Sequence, residues 1–118
     1  ESMAAALAVL GNRSGRRVAV LGDMLELGAC ARAEHYKVGR IAAEKADILL
    51  AYGPNSDGML TGARTGGMIP KFSRAFTDKE KMIQVLKTLA KPGDTILFKG
   101  SRGMRMEQVL EAFLQEEK

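Results

Sequence analysis

The chain lacks most of the residues from which metal sites, disulfides and nucleophilic catalytic sites are built. Cys30 is the only cysteine among 118 residues, so no internal disulfide can form. His35 is the only histidine, and one histidine with one cysteine cannot build a metal site or a Ser/His/Asp set. Tryptophan is absent, and two tyrosines and four phenylalanines leave few rings for stacking on nucleic-acid bases.

Long hydrophobic runs and nucleotide-binding fingerprints are also missing. No apolar run approaches the ~20 residues that span a bilayer. Neither Gly-x-Gly-x-x-Gly after the first strand nor Gly-x-x-x-x-Gly-Lys-Ser/Thr occurs, so we do not expect this chain alone to hold NAD or ATP. The 18 basic and 14 acidic residues interleave, although the net charge is +4. We therefore expect no membrane segment and no nucleic-acid partner, because a nucleic-acid binder would cluster its basic residues.

The composition that remains is typical of one globular domain. Hydrophobic residues make up 46% of the chain and charged residues 27%, and 118 residues suffice for a single core. The single cysteine and seven methionines favour a reducing compartment, so we predict a cytoplasmic protein. The sequence opens at Glu1 on an amphipathic stretch with neither a basic n-region nor an apolar h-region, so we do not expect this stretch to be a signal peptide. We expect residues 1–118 to be one domain of a longer protein.

Apolar runs and helical periodicity alternate along the sequence. Unbroken apolar runs predict strands over residues 17–21, 47–52 and 94–98, with a short edge strand over 69–73 because Pro70 cannot donate to a ladder. Apolar residues at helical spacing predict helices over residues 3–10, 31–46, 56–63, 78–90 and 106–113. This alternation predicts an α/β, three-layer Rossmann-like domain with a mostly parallel sheet flanked by helices.

Three local features sharpen this prediction. Ser2 is placed to cap the first helix. Thr77, with Glu80 three residues later, matches a capping box for the fourth helix. The unbroken apolar run over residues 95–98 indicates a strand buried on both faces of the sheet.

A cationic segment follows the last predicted strand. Lys99, Ser101 and Arg102 place two positive charges and a hydroxyl where the next helix presents unpaired N–H groups. This pattern predicts a cradle for an anionic group, either a carboxylate or a phosphate. An ordinary capped loop between strand and helix is the alternative.

An acidic segment follows the first predicted strand, over residues 22–28. Asp23 either caps the turn or the next helix, or joins Glu26 as the partner of an ammonium or a ribose. His35 lies in the stripe of the following helix. That position favours a hydrogen-bonded packing residue over a general base.

Both segments resemble the carboxy-terminal domain of the Mur ligases. Gly-Asp-Met-Leu-Glu-Leu-Gly over residues 22–28, His35 seven residues later, and Lys-Gly-Ser-Arg-Gly-Met over residues 99–104 carry the resemblance. Residues 1–7 are similar to the helix that follows the family's Tyr-Asn-Ala-Asn-Pro segment, so the resemblance covers essentially the whole chain. The Asp-Asn-Pro-Arg signature of the diaminopimelate- or lysine-adding member is absent, which favours the member that adds D-alanyl-D-alanine.

The resemblance implies an ATP-dependent ligase of peptidoglycan synthesis. In such an enzyme the terminal carboxylate of UDP-N-acetylmuramoyl-tripeptide becomes an acyl phosphate, which the amine of D-alanyl-D-alanine attacks. ATP and Mg²⁺ would be bound mainly by the central domain of the full-length enzyme and the uridine by its amino-terminal domain. The present chain would be inactive alone and would act as a mobile, substrate-binding lid.

The resemblance also implies which residues meet the substrate: Asp23, Met24, Glu26, Lys99, Gly100, Ser101 and Arg102. The cationic segment would hold the dipeptide carboxylate, and Asp23 the ammonium or the nucleotide, although Lys99 could instead face the phosphates. No residue is expected to be catalytic or to bind a metal. A non-catalytic docking module is the alternative, with an apolar patch of Met24, Leu25, Leu27 and Met104. A ligand site should be concave, with Lys99, Arg102 and Asp23 converging on it, whereas a docking face should be flat.

Overall fold

A computed structural model describes residues 2–115, in which helices and strands alternate in the predicted order. The elements are α1 (Met3–Gly11), β1 (Arg17–Gly22), α2 (Ala31–Lys45), β2 (Ile48–Tyr52), α3 (Ser56–Thr65), β3 (Ser73–Phe76), α4 (Lys79–Leu89), β4 (Thr95–Lys99) and α5 (Met106–Leu114). Within this range no helix combines the length and the apolar character that crossing a bilayer requires.

The four strands form one parallel sheet in the order β3-β2-β1-β4. Val18 of the central strand β1 pairs with Ile48 of β2 on one side and with Ile96 of β4 on the other. Helices α1, α2 and α3 cover one face of the sheet, and α4 and α5 cover the other. The predicted three-layer fold is confirmed. All four strands therefore end at the same edge, where the loops that follow them meet.

The burial predicted for the last strand is wrong. Every residue of β4 is only half-buried, because β4 lies at the edge of the sheet with a single neighbour, β1. Buried positions are concentrated instead in β1 and β2, with five in β1 and four in β2. An unbroken apolar run identifies a strand, but it does not say how many strands flank it.

The range predicted for the third strand is also wrong, although its edge position is confirmed. Pro70–Phe72 form a 3₁₀ turn that the Phe72 N–H closes by donating to the Ile69 carbonyl at 3.0 Å. The strand begins only at Ser73, which pairs with Leu49. The fixed φ of Pro70 suits the first position of a helical turn, so the turn begins there.

One of the two predicted helix caps is correct. The Ser2 hydroxyl accepts the Ala5 N–H at 3.1 Å, which confirms the cap of α1. At α4 the capping residue is Asp78, not Thr77, because the Asp78 carboxylate accepts the N–H groups of Glu80 and Lys81. A carboxylate is also favoured by the positive end of the helix dipole.

Helices α2 and α3 touch backbone to backbone where two glycines face the opposite helix. A Cβ on Gly39 would overlap the Met59 carbonyl oxygen, and one on Gly62 would overlap the Tyr36 carbonyl oxygen. Gly58, also in α3, has only ordinary van der Waals neighbours at 3.7 and 3.8 Å around such a position. The spacing of the two helices therefore depends on the absence of a side chain at Gly39 and Gly62.

This packing predicts opposite effects for the same substitution in one helix. Gly62→Ala should destabilise the fold by about 2 kcal/mol or more, because α3 must move away from α2. Gly58→Ala should raise the free energy of unfolding by up to about 1 kcal/mol, since alanine is the better helix former and its methyl group fits. Urea unfolding monitored by circular dichroism measures both. Similar midpoints for the two variants would contradict the close approach.

A half-buried ion pair closes the opposite edge of the sheet, where the strands begin. Arg16 donates to both Asp94 oxygens, from Nε at 3.0 Å and from Nη2 at 2.8 Å, and Nη2 also donates to the Leu89 carbonyl at 2.6 Å. The Arg16 hydrogen bonds hold the pKa of Asp94 below its usual value. The Asp94 carboxylate also accepts the Lys91 N–H, which ties the end of α4 to the start of β4.

Asp94→Asn should lower the free energy of unfolding at pH 7 by about 1–3 kcal/mol, because it removes charge-assisted hydrogen bonds. A lowered folded-state pKa contributes stability above the unfolded pKa, and this contribution is lost as the pH falls through the folded-state pKa. The variant should therefore lose less stability than the parent on acidification. Glu111→Gln, at an exposed position of α5, is the control. Equal acid sensitivity of parent and Asp94→Asn would contradict this role.

Candidate functional site

Glycines let the loops crowd together at the carboxyl edge of the sheet. Gly53, with φ of +126°, follows β2, and a Cβ there would lie 2.5 Å from Asp23 Oδ1. Gly100 follows β4, and a Cβ there would lie 3.0 Å from the Gly22 Cα. The loops after β1, β2 and β4 therefore touch, and they bring together groups that are far apart in sequence.

Asp23 joins these three loops. Its carboxylate, only 1% exposed, accepts the Asn55 backbone N–H at 3.0 and 3.1 Å and the Asn55 side-chain amide at 2.8 Å. Its backbone N–H donates to the Tyr52 carbonyl, and its backbone carbonyl accepts the Ser101 N–H, each at 3.0 Å. Asp23 thus holds Asn55, the residue that precedes α3, and fixes the loop after β4. Within residues 2–115 its carboxylate caps neither its own turn nor the next helix, α2, so the capping predicted for it is not found in that form.

His35 is a packing residue with both ring nitrogens engaged. It is fully buried; Nδ1 lies 2.6 Å from the Ala31 carbonyl, and Nε2 accepts the Met24 N–H at 2.9 Å. These partners assign the proton to Nδ1, so the ring is neutral even though Nε2 lies 3.9 Å from Asp23 Oδ1. The prediction of a hydrogen-bonded packing histidine is confirmed. Its effect is to anchor the acidic loop, which we define as residues 22–28.

The cationic loop, which we define as residues 99–104, is held against the acidic loop by Ser101. The Ser101 hydroxyl accepts the Leu25 N–H at 2.7 Å. Beyond it, Arg102–Met104 form a 3₁₀ turn in which the Met104 N–H donates to the Ser101 carbonyl at 2.8 Å. The Ser101 hydroxyl is therefore already partnered, whereas its neighbours Lys99 and Arg102 are not: within residues 2–115 neither makes an ion pair or a side-chain hydrogen bond.

A cleft of about 250 Å³ opens beside Lys99 at this edge. It is lined by Ser2, Met3, Met24, Lys99, Gly100 and Ser101. The surface is concave and combines an ammonium group with thioether side chains. A ligand site is predicted to be concave and to bring three charged side chains together, whereas a docking face should be flat. The shape of the cleft meets the first of these two conditions.

The predicted convergence of three charges is not found. Lys99 lines the cleft, but Arg102 lies outside its lining on the exposed 3₁₀ turn, and Asp23 is buried and does not line it. Glu26 is the exposed carboxylate of the acidic loop and adopts a left-handed backbone conformation with φ of 63°. The expected contact of Asp23 with a ligand is therefore not available in this arrangement, because protein donors occupy its carboxylate.

Two residues that organise the site escaped sequence reasoning. Asn55 supplies both donor groups that reach the Asp23 carboxylate, and Lys79 donates to the Met104 carbonyl at 3.1 Å at the far end of the cationic loop. Asn55 follows a Gly-Pro break and reads as an ordinary turn residue. Lys79 lies inside the predicted capping box, where a lysine carries no signal of its own.

The residues of this domain do not fit a magnesium ion. Among residues 2–115 no three Asp, Glu, His or Cys side chains come together, and the one buried carboxylate at the site is used by Asn55. Mg²⁺ is usually held by carboxylates together with substrate phosphates. The chain also lacks the Gly-rich phosphate loop that positions such a nucleotide.

A parallel α/β domain with a cationic loop at the carboxyl edge of its sheet belongs to the class in which substrates bind at strand ends. The family described as "Mur ligase, glutamate ligase domain" matches residues 1–102, and the chain belongs to the Mur ligase family. The resemblance identified from the sequence is confirmed.

Curated relatives carry the name UDP-N-acetylmuramoyl-tripeptide–D-alanyl-D-alanine ligase. The Escherichia coli protein is 42% identical over 98% of this chain and the Synechocystis protein 39% identical over 98%. Among solved structures, MurF from Acinetobacter baumannii matches 98% of the chain with a TM-score of 0.86 and 32% identity. MurF from Thermotoga maritima in complex with ADP matches 94% with a TM-score of 0.77 and 29% identity. The chain spans about a quarter of the length of each of these proteins, between 24% and 26%.

The network around Asp23 predicts a large effect for the loss of one charge. Asp23→Asn places an amide opposite the donors of Asn55 and should cost about 2 kcal/mol or more of folding stability, because buried donors lose their acceptor. Amide resonances of Asn55 and Ser101 should shift as well. Asp57→Asn, at an exposed position in the first turn of α3, is the matched control. Equal stability of the two variants would refute the linking role of Asp23.

Proposed function

We propose that this chain is the carboxy-terminal, substrate-binding domain of an ATP-dependent ligase that adds D-alanyl-D-alanine to UDP-N-acetylmuramoyl-tripeptide. The observation that carries the proposal is the cationic loop beside a concave cleft, in which the side chains of Lys99 and Arg102 make no ion pair or hydrogen bond with residues 2–115. The names of the relatives supply the reaction. We place the reaction in the cytoplasm, and the central and amino-terminal domains of the same protein complete the site.

The chemistry of the reaction explains why a cationic loop is useful. The dipeptide attacks an acyl phosphate through its amine, so its carboxylate is the end that can be held without blocking the reaction. Lys99 and Arg102 attract that carboxylate, and the rigid attachment of Ser101 to the acidic loop fixes where it rests. Closing the domain over the acyl phosphate would also exclude water.

In this proposal the acidic loop contacts the dipeptide through some residues and positions the neighbouring loops through others. Met24 and the backbone of Gly100 line the cleft and face the methyl groups of the dipeptide. Glu26 is exposed whereas Asp23 is buried, so Glu26 is the carboxylate of this loop that can contact the dipeptide ammonium. Asp23 acts through Asn55 and Ser101 and positions the two loops. ATP and its Mg²⁺ are bound mainly outside this chain.

The test compares two substrates in the full-length enzyme. Lys99→Met and Arg102→Ala should each raise the KM for D-alanyl-D-alanine by roughly tenfold to a hundredfold, the factor expected for one charge-assisted hydrogen bond. The KM for ATP should change little, because the nucleotide binds elsewhere. Steady-state phosphate release with each substrate varied in turn provides both constants.

Lys91→Met is the control, because Lys91 is exposed at the opposite edge of the sheet and its substitution removes the same charge. Equal increases in both KM values would place the cationic loop at the nucleotide phosphates instead. Unchanged KM values for both substrates would support the docking module.

A further inference from the structure

Lys79 makes an unusual set of contacts for a lysine at the start of a helix. Its Nζ donates to the Met104 carbonyl at 3.1 Å and to Gln108 Oε1 at 3.2 Å, and it lies 5.4 Å from the centre of the Tyr52 ring. These partners belong to the cationic loop, to α5 and to the end of β2. Lys79 therefore connects three elements at the carboxyl edge of the sheet.

Within the described part of the chain, no carboxylate forms an ion pair with this ammonium group. Lys79 is half-buried, and none of the ion pairs within residues 2–115 includes it. Removing an ammonium from water is costly, and here the cost is offset by a carbonyl, an amide and an aromatic face. All three fix the ammonium in one place.

The Met104 carbonyl lies at the far end of the cationic loop, and no backbone N–H of α5 donates to it. Arg105 adopts a left-handed backbone conformation, with φ of 51° and ψ of 50°, and so interrupts the helical conformation between the 3₁₀ turn and α5. The first-turn hydrogen bond of α5 runs from the Gln108 N–H to the Arg105 carbonyl, so the Met104 carbonyl needs another donor. Lys79 supplies that donor.

We infer that Lys79 is a positioning residue that fixes the far end of the cationic loop and thereby the place of Arg102. Ser101 holds the near end through Asp23 and Leu25, and Lys79 holds the far end through Met104. Arg102 lies between these two attachments. An exposed arginine on a loop held at both ends loses less conformational freedom when it meets an anion.

The first test needs no substrate. In the full-length protein, hydrogen exchange of a peptide covering residues 101–106 should become roughly fivefold faster in Lys79→Met, because the 3₁₀ turn opens more often. Lys79→Arg should restore slow exchange, since arginine can donate to the carbonyl and stack on Tyr52. Lys81→Met removes the same charge from an exposed position of α4 and is the control. Unchanged exchange in Lys79→Met would overturn the inference.

The second test is kinetic and rests on the proposed function. Lys79→Met should raise the KM for D-alanyl-D-alanine about fivefold, with kcat changed less, and Lys79→Arg should reverse it. In an Arg102→Ala background the same substitution should have no further effect on KM, because its target is gone. A full additional increase in that background would show that Lys79 acts by another route and would overturn the inference.

The two tests separate two kinds of failure. If exchange accelerates while Arg102→Ala leaves the dipeptide KM unchanged, the proposed role of the cationic loop is wrong and the positioning role of Lys79 stands. If Arg102→Ala raises the KM and Lys79→Met does not, the proposed function stands and the inference is wrong.

Discussion

The carboxyl edge of the sheet depends on one buried carboxylate at the end of its central strand. Asp23 receives donors from Asn55, donates its own N–H to Tyr52 and accepts the Ser101 N–H, so three loops take their positions from one residue. Burying a charge is costly unless its hydrogen bonds are satisfied, and here both carboxylate oxygens have partners. Removing the carboxylate would leave the backbone N–H and the side-chain amide of Asn55 without their acceptor.

This arrangement separates positioning from binding. Three polar side chains hold the loops in place through hydrogen bonds within the domain: those of Asp23, His35 and Ser101. Within residues 2–115 the charged side chains of these two loops that make no ion pair or hydrogen bond are Glu26, Lys99 and Arg102, and of these Lys99 lines the cleft. Sequence reasoning placed Asp23 and Ser101 in the same site as Lys99 and Arg102, because composition and order do not distinguish a buried, hydrogen-bonded carboxylate from an accessible one.

The order of helices and strands could be predicted from local sequence patterns. The predictions that failed concerned features that depend on neighbouring strands or residues. Apolar runs and helical stripes identified the order of elements, since burial on one side of a helix or in a sheet leaves a periodic trace. The burial of β4 depended on the order of strands, which no single run encodes. The start of β3 depended on pairing with β2, and the cap of α4 on a competition between two adjacent acceptors, Thr77 and Asp78.

The sequence predicted where the site lies, but not the hydrogen bonds that connect its loops. Both loops follow predicted strands, and parallel strands bring their ends together, so the region was predictable. The contacts that join its loops link residues far apart in sequence: Lys79 and Met104 are 25 positions apart, Asp23 and Asn55 are 32 apart, and Leu25 and Ser101 are 76 apart. Such pairs depend on the completed packing of both sheet faces. The backbone that carries Lys99 and Arg102 is already held by hydrogen bonds of Ser101 and Met104, so under the proposed function these two side chains would meet the dipeptide carboxylate at little ordering cost.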